Sequence, residues 1–375
     1  MLVPGHHLAS IEPFRVGVSY WPRQAGFNLW KQFDVDEVHE DFSIMSEMGI
    51  NLARVALLWE DFQPQPDALR CSALAHLLEL CDAAASEGIR LELLLFAGPI
   101  GNPKAFPSWL RENDTEPCCT LVNPFSNPLA KRGAEAFVRG IARTVGNHSA
   151  IWAYNLGDRP DRLAKSSCRV AANAWFDELS QIIHSVDKRH PVTCSLAGAN
   201  LSTNATLRVD QVFSVLDHST MDRDGLSAAT GNTDARALAI FGCALTTALS
   251  GKPCLLQSDW DSSSVSDANT EGLGADAPEG IAARMLLNGL YEVGALGAII
   301  GTFTDLPDEM QIRSGLVDAD GRMRPHAAAI QEFVGTKPRV QKPSGKSIAL
   351  GMSADEFYEH PDTNLRRLFG EFLRQ

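Results

Sequence analysis

Asp158 and Arg159 are the residues in this sequence best placed to do chemistry, because they follow a short apolar and aromatic segment. That segment, AIWAYNLG at positions 150–157, stops at Gly157 and gives way to charge and proline. The pattern predicts a buried parallel strand that ends at a surface, so that the next side chains face a cavity. A carboxylate there can accept hydrogen bonds. An arginine cannot deliver a proton near neutral pH, because its pKa lies above about 12.

A second segment of the same kind, PCLLQ at positions 253–257, is followed by Ser258, Asp259 and Trp260. It lacks polar alternation, as expected of a parallel strand that is buried on both faces. Serine is a poor nucleophile without an adjacent base to take its proton. Because neighbouring strand residues point to opposite faces, the carboxylate of Asp259 is expected to point away from the cavity that Ser258 faces. A bulge at the end of the strand would turn Asp259 back towards the cavity.

Eight apolar segments alternate with helix-like segments along the chain, as a parallel barrel requires. In barrels of this kind, chemistry takes place at the carboxyl-terminal ends of the strands. The expected fold class is therefore α/β, a single (β/α)8 TIM barrel, which a chain of 375 residues can form as one domain. The expected strands are residues 16–20, 52–58, 90–96, 150–157, 192–196, 212–216, 253–257 and 295–303.

The last part of the chain is expected to form a short extension. The barrel would occupy residues 1–335, and residues 336–375 would pack against its outside after a linker rich in proline and glycine. An amphipathic helix is predicted from Thr363 to Leu373, because its apolar residues fall on one face. Within the barrel, the second helix is expected from Cys71 to Ser86, closed by Gly88.

Composition excludes several classes of protein. The net charge of −13 argues against a nucleic-acid partner, whose phosphates it would repel. The eight cysteines lack the spacing of metal ligands, so no metal or other cofactor is expected. No apolar stretch approaches the roughly 20 residues that a membrane helix needs. The first residues also lack the basic start and apolar run of a signal peptide. We therefore expect a cytoplasmic protein that binds no membrane.

The segment at 150–161 resembles the fourth-strand motif of the retaining glycoside hydrolases of clan A, which include cellulases, mannanases and β-galactosidases. In that family the motif reads roughly Trp-x-x-x-Leu-Gly-Asn-Glu-Pro. Other segments are similar to family segments in the same order, so that the resemblance covers nearly the whole chain. They are residues 18–23, 51–54, 59–64, 251–257, 294–298 and 315–321. The resemblance implies a (β/α)8 barrel related to enzymes that hydrolyse O-glycosyl bonds.

The positions that carry catalysis in the family differ here. The resemblance places Arg159 at the position of the acid/base glutamate and Ser258 at that of the nucleophilic glutamate. Retaining hydrolysis needs two carboxyl groups about 5 Å apart, one protonating the leaving oxygen and the other attacking the sugar. The resemblance therefore implies a site that has lost both groups. Asp259 is the candidate for a displaced nucleophile.

The resemblance also implies a set of binding residues. Arg54 corresponds to an arginine that braces the catalytic carboxylates, and Asp158 to an asparagine that contacts a sugar hydroxyl. The residues that usually steady the nucleophile align with Leu216 and His218, and the tryptophan that ends strand eight aligns with Gly301. His218 is expected to be a histidine of the site's rim or of the core, and not a catalyst, because the sequence shows no partner carboxylate for it.

Four tryptophans follow strands or lie in long loops, where they could stack on sugar rings or pack in the core. They are Trp21, Trp59, Trp109 and Trp260. Asp305 could reach the mouth of the barrel or serve as an ion-pair partner. Arg159 is expected at the mouth, paired with one of three carboxylates. The candidates are Asp158, Asp259 and Asp305. The alternative for Arg159 is an open position that binds an anionic group of a ligand.

Three functions are compatible with these residues. The first is a pseudoenzyme, a barrel that binds a carbohydrate or related polyol without hydrolysing it. The second is an active glycoside hydrolase that uses displaced carboxylates, Asp259 with Asp158 or Asp305. The third is a scaffold or assembly subunit whose outer helices bind a protein partner. The fold alone does not decide among them, because barrels support many activities.

Overall fold

The eight strands of the protein form a closed barrel in which each strand is parallel to its neighbours. The computed structural model describes residues 12–97, 106–111, 122–160, 169–203, 205–258, 278–306, 315–318, 320–336, 339–344 and 346–375. Asp259 and Trp260 lie outside these ranges.

The strands follow one another around the barrel in chain order, and β8 pairs with β1 to close it. They are β1 (Arg15–Tyr20), β2 (Leu52–Ala56), β3 (Arg90–Leu94), β4 (Ile151–Asp158), β5 (Val192–Ala197), β6 (Ser219–Asp222), β7 (Cys254–Ser258) and β8 (Gly297–Thr302). The (β/α)8 barrel expected from the alternation of apolar and helical segments is confirmed.

The described helices lie mostly between the strands. They are α1 (Val35–Glu47), α2 (Trp59–Phe62), α3 (Cys71–Ser86), α4 (Pro128–Val145), α5 (Arg169–Val186), α6 (Val209–Ser214), α7 (Leu226–Thr230), α8 (Ala235–Ser250), α9 (Pro278–Glu292), α10 (Pro325–Thr336), α11 (Ala354–Glu359) and α12 (Pro361–Leu373). Three helices begin at a residue whose side chain accepts hydrogen bonds from backbone N–H groups of the first turn. These residues are Asp34 for α1, Asn127 for α4 and Asp234 for α8. Among the helices of the described ranges, none combines the length and the hydrophobicity of a membrane-spanning segment.

The strand predicted at residues 212–216 is wrong. Most of that segment belongs to α6, and β6 begins later, at Ser219. The buried residues of this region recur at a spacing of three and four, which puts them on one face of a helix. They are Val209, Val212, Phe213 and Leu216. The true strand, STMD, carries polar residues that face other polar side chains, so it does not stand out as an apolar run.

Two apolar clusters hold the barrel together. The larger one fills the space between the strands and the surrounding helices. The smaller one lies apart, at the amino-terminal ends of the strands. It consists of Leu52, Leu255, Leu296, Ile299 and Val340, with the partly buried Trp152 packed against it.

The carboxyl-terminal extension packs against the outside of the barrel, as expected. In α12, the rings of Phe369 and Phe372 lie 5.0 and 5.6 Å from the ring of Phe241 in α8. The Tyr358 hydroxyl donates to the carbonyl oxygen of Asn200 over 3.0 Å. Arg366 donates to the carbonyl oxygen of Ala229 over 3.1 Å. The extension therefore holds the segments that follow β5 and β6.

Candidate functional site

The interior of the barrel contains a buried ion pair between two neighbouring strands. Arg54 of β2 and Glu92 of β3 are paired in register, and Nε of Arg54 lies 3.3 Å from Oε1 of Glu92. Asn155 of β4 links them to β5, since its amide donates to Glu92 Oε1 over 2.9 Å and to Ser195 Oγ over 2.8 Å. Burial raises the pKa of Glu92, and the Arg54 charge opposes that shift. These residues form a polar layer beneath the mouth.

Asp158, the last residue of β4, lies above that layer. Its Oδ2 accepts a hydrogen bond from Gln257 Nε2 over 3.3 Å and lies 3.8 Å from Nη2 of Arg54. The second oxygen of Asp158 and the amide oxygen of Gln257 are buried and have no hydrogen-bond partner among the described residues. Asp158 therefore lies close to Arg54 and retains capacity to accept a hydrogen bond.

Arg159 is held at the mouth by two carboxylates. Its Nε donates to Asp222 Oδ2 over 2.7 Å, and its Nη1 donates to Asp224 Oδ2 over 3.1 Å. The backbone N–H of Arg159 donates to the carbonyl oxygen of Ser195 over 2.9 Å. Its φ of 49° is the only positive φ among the described non-glycine residues, and such backbone strain is concentrated at functional sites. Arg159 is thus fixed through its backbone and its side chain.

Arg159 is held by two carboxylates that were not among the predicted partners, and the predicted partner Asp259 lies outside the described residues. In the described part of the chain, Arg159 bonds the carboxylates of Asp222 and Asp224, which come at and after the end of β6. Burial lowers the pKa of Arg159, but the nearby carboxylates together raise it above its usual value. Among them, Asp222 has a larger effect than Asp158. Asp305 has another partner. It forms a two-point ion pair with Arg324, with N–O distances of 2.8 and 2.7 Å.

The pKa of Asp222 is unusually high for an aspartate. Burial raises its pKa to about 6, although the Arg159 charge and the backbone N–H of Asp224 act in the opposite direction. Asp222 therefore changes its charge near neutral pH, and with it the strength of the contact to Arg159.

The predicted tryptophans of the binding site are packed in the core where the structure describes them. Trp21 is buried against Phe27, with ring centroids 4.8 Å apart. Trp59 is buried between Phe96 and Trp109, at 4.7 and 5.5 Å. Trp109 is partly buried, and its Nε1 donates to the carbonyl oxygen of Gln63 over 3.1 Å. The packing alternative therefore accounts for Trp21, Trp59 and Trp109.

His218 does not lie at the mouth. It immediately precedes β6, which places it at the amino-terminal end of the barrel. Its ring packs against Trp152 with centroids 5.1 Å apart, and burial lowers its pKa to about 4. His218 is therefore a neutral core histidine, and its assignment to the binding site is wrong.

Ser258 and Gly301 lie near the carboxyl-terminal ends of β7 and β8, as the resemblance implies. Ser258 is the last residue of β7 and pairs with Ile300 of β8. Gly301 follows Ile300 in β8 and has a φ of 61°, a left-handed conformation that favours glycine over tryptophan.

Three acidic residues of the site are absent from those predicted on the sequence alone. Glu92 has a visible signal, because it is the single charged residue inside the apolar run LELLLF. A charge in such a run predicts a buried partner. Asp222 and Asp224 carry no such signal, because the strand that ends at Asp222 is polar and does not stand out as an apolar run.

The site can hold hydroxyl groups more readily than anions. The positive charge of Arg159 is met by two carboxylates, and the partly exposed Asp158 accepts hydrogen bonds. In the described ranges, no group of three histidine, cysteine, aspartate or glutamate side chains is arranged to hold a metal ion.

The sequence matches no protein-family model and no curated protein. Its structure is similar to those of glycoside hydrolases. A GH5_18 protein from Streptomyces cattleya, solved with GlcNAc, has a TM-score of 0.76 at 18% identity, over 97% of this chain and 91% of that chain. GH5_18 from Bifidobacterium longum subsp. longum has a TM-score of 0.76 at 18% identity, over 89% and 81%.

An exo-β-1,4-mannosidase from Opitutaceae bacterium strain TAV5 has a TM-score of 0.71 at 21% identity, over 88% of this chain and 61% of that chain. Variants of the Bifidobacterium longum and Streptomyces cattleya proteins were solved with Manβ1-4GlcNAc. At these identities the similarity establishes a shared fold. The resemblance to glycoside hydrolases predicted from the sequence motifs is confirmed at that level.

Proposed function

We propose that this protein binds a carbohydrate or related polyol at the mouth of a glycoside-hydrolase-like barrel and does not hydrolyse it. The observation that carries the proposal is the contact of Arg159 with Asp222 and Asp224. Arg159 follows β4, at the position that resembles the family's acid/base, and it has no proton to give near neutral pH.

Within the described ranges, the carboxyl groups near Arg159 already bond to neighbouring side chains. Asp222 and Asp224 hold the guanidinium, and Asp158 is bonded to Gln257. Retaining hydrolysis needs one carboxyl group free to donate a proton and a second free to attack the sugar. Ser258, at the end of β7, supplies no carboxyl group for the second role. This arrangement supports binding without turnover.

The same contacts favour a neutral ligand over an anionic one. An anion would have to compete with two carboxylates for Arg159, whereas a hydroxyl can donate to the unpartnered oxygen of Asp158 or to the amide oxygen of Gln257 after a small side-chain movement. Manβ1-4GlcNAc is a suitable first probe, because similar structures contain it.

The test is titration calorimetry of the protein with Manβ1-4GlcNAc and with an anionic disaccharide, alongside aryl β-glycoside hydrolysis assays. We expect saturable binding of the neutral sugar, no turnover, and about tenfold weaker binding by Asp158→Ala, equal to about 1.4 kcal/mol. Asp320→Ala is the matched control, because Asp320 forms an exposed ion pair with Arg322. Absence of sugar binding would leave the scaffold hypothesis as the better explanation.

An active hydrolase with displaced carboxylates is the alternative. One observation favours it: the pKa of Asp222 is raised to about 6, within the range useful for a general acid at neutral pH. If the unchanged protein releases the aryl group from a glycoside, Asp222→Asn and Asp259→Asn identify which carboxyl group is used. Such release by the unchanged protein would contradict our proposal, and loss of the activity in one variant would identify the carboxyl group that the hydrolase uses.

A further inference from the structure

A groove on the outside of the barrel lies between α8, α9 and the end of the extension. Its volume is about 440 Å³. We propose that this groove is a second binding site, separate from the mouth, for a small amphipathic anion: a carboxylate or phosphate attached to an aliphatic or aromatic group. Small-molecule sites usually have volumes of about 300–1,000 Å³ and combine an apolar lining with a few charged groups.

The floor of the groove is set by a close helix contact. Gly289 of α9 lies against Ile240 of α8, and a Cβ atom at Gly289 would fall 2.3 Å from Cδ1 of Ile240. A larger residue at 289 would therefore displace the end of the Ile240 side chain. The floor is apolar because Ile240 and the ring of Phe372 both line it.

Exposed apolar side chains are concentrated at this groove. Met285 and Leu373 line it, and 48% of each is exposed. Ile281, 46% exposed, lies one turn before Met285 on α9. Seven large apolar residues in the described ranges are exposed, and these three are among them. Clustered apolar surface indicates a binding site, whereas isolated exposed apolar residues do not.

The charged residues of the groove define the polar part of the ligand. Three cations line it, Arg236, Arg284 and Lys346, against two acids, Asp234 and Glu292. The carboxylate of Asp234 is already used to accept the N–H groups at the start of α8. The lining therefore holds one more cation than acids, and two of the cations have carboxylates nearby: Arg236 Nη2 lies 3.8 Å from Asp234 Oδ2, and Arg284 Nη1 lies 3.6 Å from Glu332 Oε2.

The cationic and apolar parts of the groove are in direct contact. Nη1 of Arg236 lies 3.3 Å from Sδ of Met285, and Nζ of Lys346 lies 5.0 Å from the centre of the Phe372 ring. A ligand whose anionic group meets Arg236 or Lys346 would thus place its apolar group on Met285 and Phe372. A plain inorganic anion would leave the apolar lining exposed, and a neutral hydrocarbon would make no use of the cations.

The experiment measures dodecanoate binding to the full chain by titration calorimetry at pH 7.5, below its micelle concentration. Dodecyl phosphate tests the other anionic group, and dodecylamine tests the importance of charge. We expect saturable binding of both anions, and binding of dodecylamine weaker by at least about tenfold, equal to about 1.4 kcal/mol.

Met285→Glu and Arg236→Glu should each weaken dodecanoate binding by about tenfold or more. Met323→Glu is the matched control, because Met323 is also 48% exposed but does not line the groove. Its binding should equal that of the unchanged protein, and circular dichroism should show that all three variants fold.

Three results would overturn the proposal: no saturable binding, equal binding of dodecylamine, or dodecanoate binding that Met285→Glu leaves unchanged. Light scattering provides a further check. If the protein is a dimer that Met285→Glu converts to a monomer, the apolar face is an interface between two copies of the chain, and the ligand proposal is wrong.

Discussion

Nε of Arg159 lies 2.7 Å from Oδ2 of Asp222 and so connects the end of β4 to the end of β6, with β5 between them in the sheet. This contact makes Arg159 part of a charge arrangement that spans three strands. A glutamate introduced at position 159 would lie beside two carboxylates and no longer beside a partner of opposite charge.

The first prediction concerns restoration of hydrolysis. Arg159→Glu alone and Ser258→Glu alone should give no aryl β-glycoside turnover, because each supplies one of the two required carboxyl groups. The double variant should gain only a trace of activity. Adding Asp222→Asn should raise turnover by about tenfold, because it removes a repulsion worth about 1.4 kcal/mol next to the new glutamate.

The readout is nitrophenol release from each variant, with folding checked by thermal melting. Ser227→Asn, at an exposed position on α7, controls for the added amide. High activity in the double variant that does not increase with Asp222→Asn would show that Asp222 has no influence on position 159.

A second prediction concerns the buried ion pair. Glu92→Gln should lower the free energy of unfolding by about 3 kcal/mol, because it leaves the charge of Arg54 buried with a weaker partner. Glu178→Gln is the control: Glu178 bonds Lys131 over 2.7 Å, but that pair is on the surface. Glu178→Gln should lower the free energy of unfolding by less than about 1 kcal/mol. Urea denaturation measures both, and equal losses would contradict the role assigned to Glu92.

The third prediction is a pH dependence caused by Asp41 of α1. Asp41 is fully buried, and the Tyr20 hydroxyl donates to it over 3.1 Å. Burial raises the pKa of Asp41 to about 7, although Arg23 and Tyr20 oppose the shift. Between about pH 4 and pH 7 the folded state therefore holds a proton that the unfolded state has released. This contribution to stability is fully present below about pH 4 and is lost as the pH rises towards 7.

Asp41→Asn removes that titration. Relative to the unchanged protein, the variant should become more stable as the pH rises from about 4 to 7, by up to about 1.4 kcal/mol per pH unit. Asp36→Asn, an exposed change in the same helix, should show no such trend. The free energy of unfolding of Asp41→Asn should therefore differ from that of the unchanged protein by an amount that changes with pH. A constant difference would show that Asp41 is ionised throughout.

A fourth prediction concerns the extension. Phe369→Ala should lower the free energy of unfolding by about 3 kcal/mol, because its buried ring packs against Phe241 of the barrel. Leu373→Ala, four residues later and about half exposed, should change the free energy of unfolding by less than about 0.5 kcal/mol. Melting temperatures of the two variants test this, and similar values would mean that the extension contributes little to the stability of the barrel.

Most of the fold was predictable because its signals are local. Helix α3 has the bounds expected from the sequence, Cys71–Ser86, since apolar periodicity and Gly88 mark it. Strand six was not predictable in this way. Its residues are polar because they lie among the polar side chains of the barrel interior, while the preceding apolar residues belong to a helix.

That one displacement accounts for the main errors at the site. A strand at residues 212–216 would put His218 just beyond its carboxyl-terminal end, whereas the true β6 puts Asp222 at that end. The partner of Arg159 also depends on which strands meet in space, and spacing along the sequence does not give that information. The prediction that Arg159 pairs with a carboxylate was sound because a buried guanidinium requires one.

The apolar cluster at the amino-terminal ends of the strands is separate from the polar layer that contains Arg54 and Glu92. Closure of the barrel therefore has its own source of stability, away from the mouth. Changes at the mouth residues Asp158 and Arg159 leave the contacts of this cluster in place. The carboxyl-terminal ends of the strands can therefore differ in sequence while the cluster at their amino-terminal ends keeps the barrel closed.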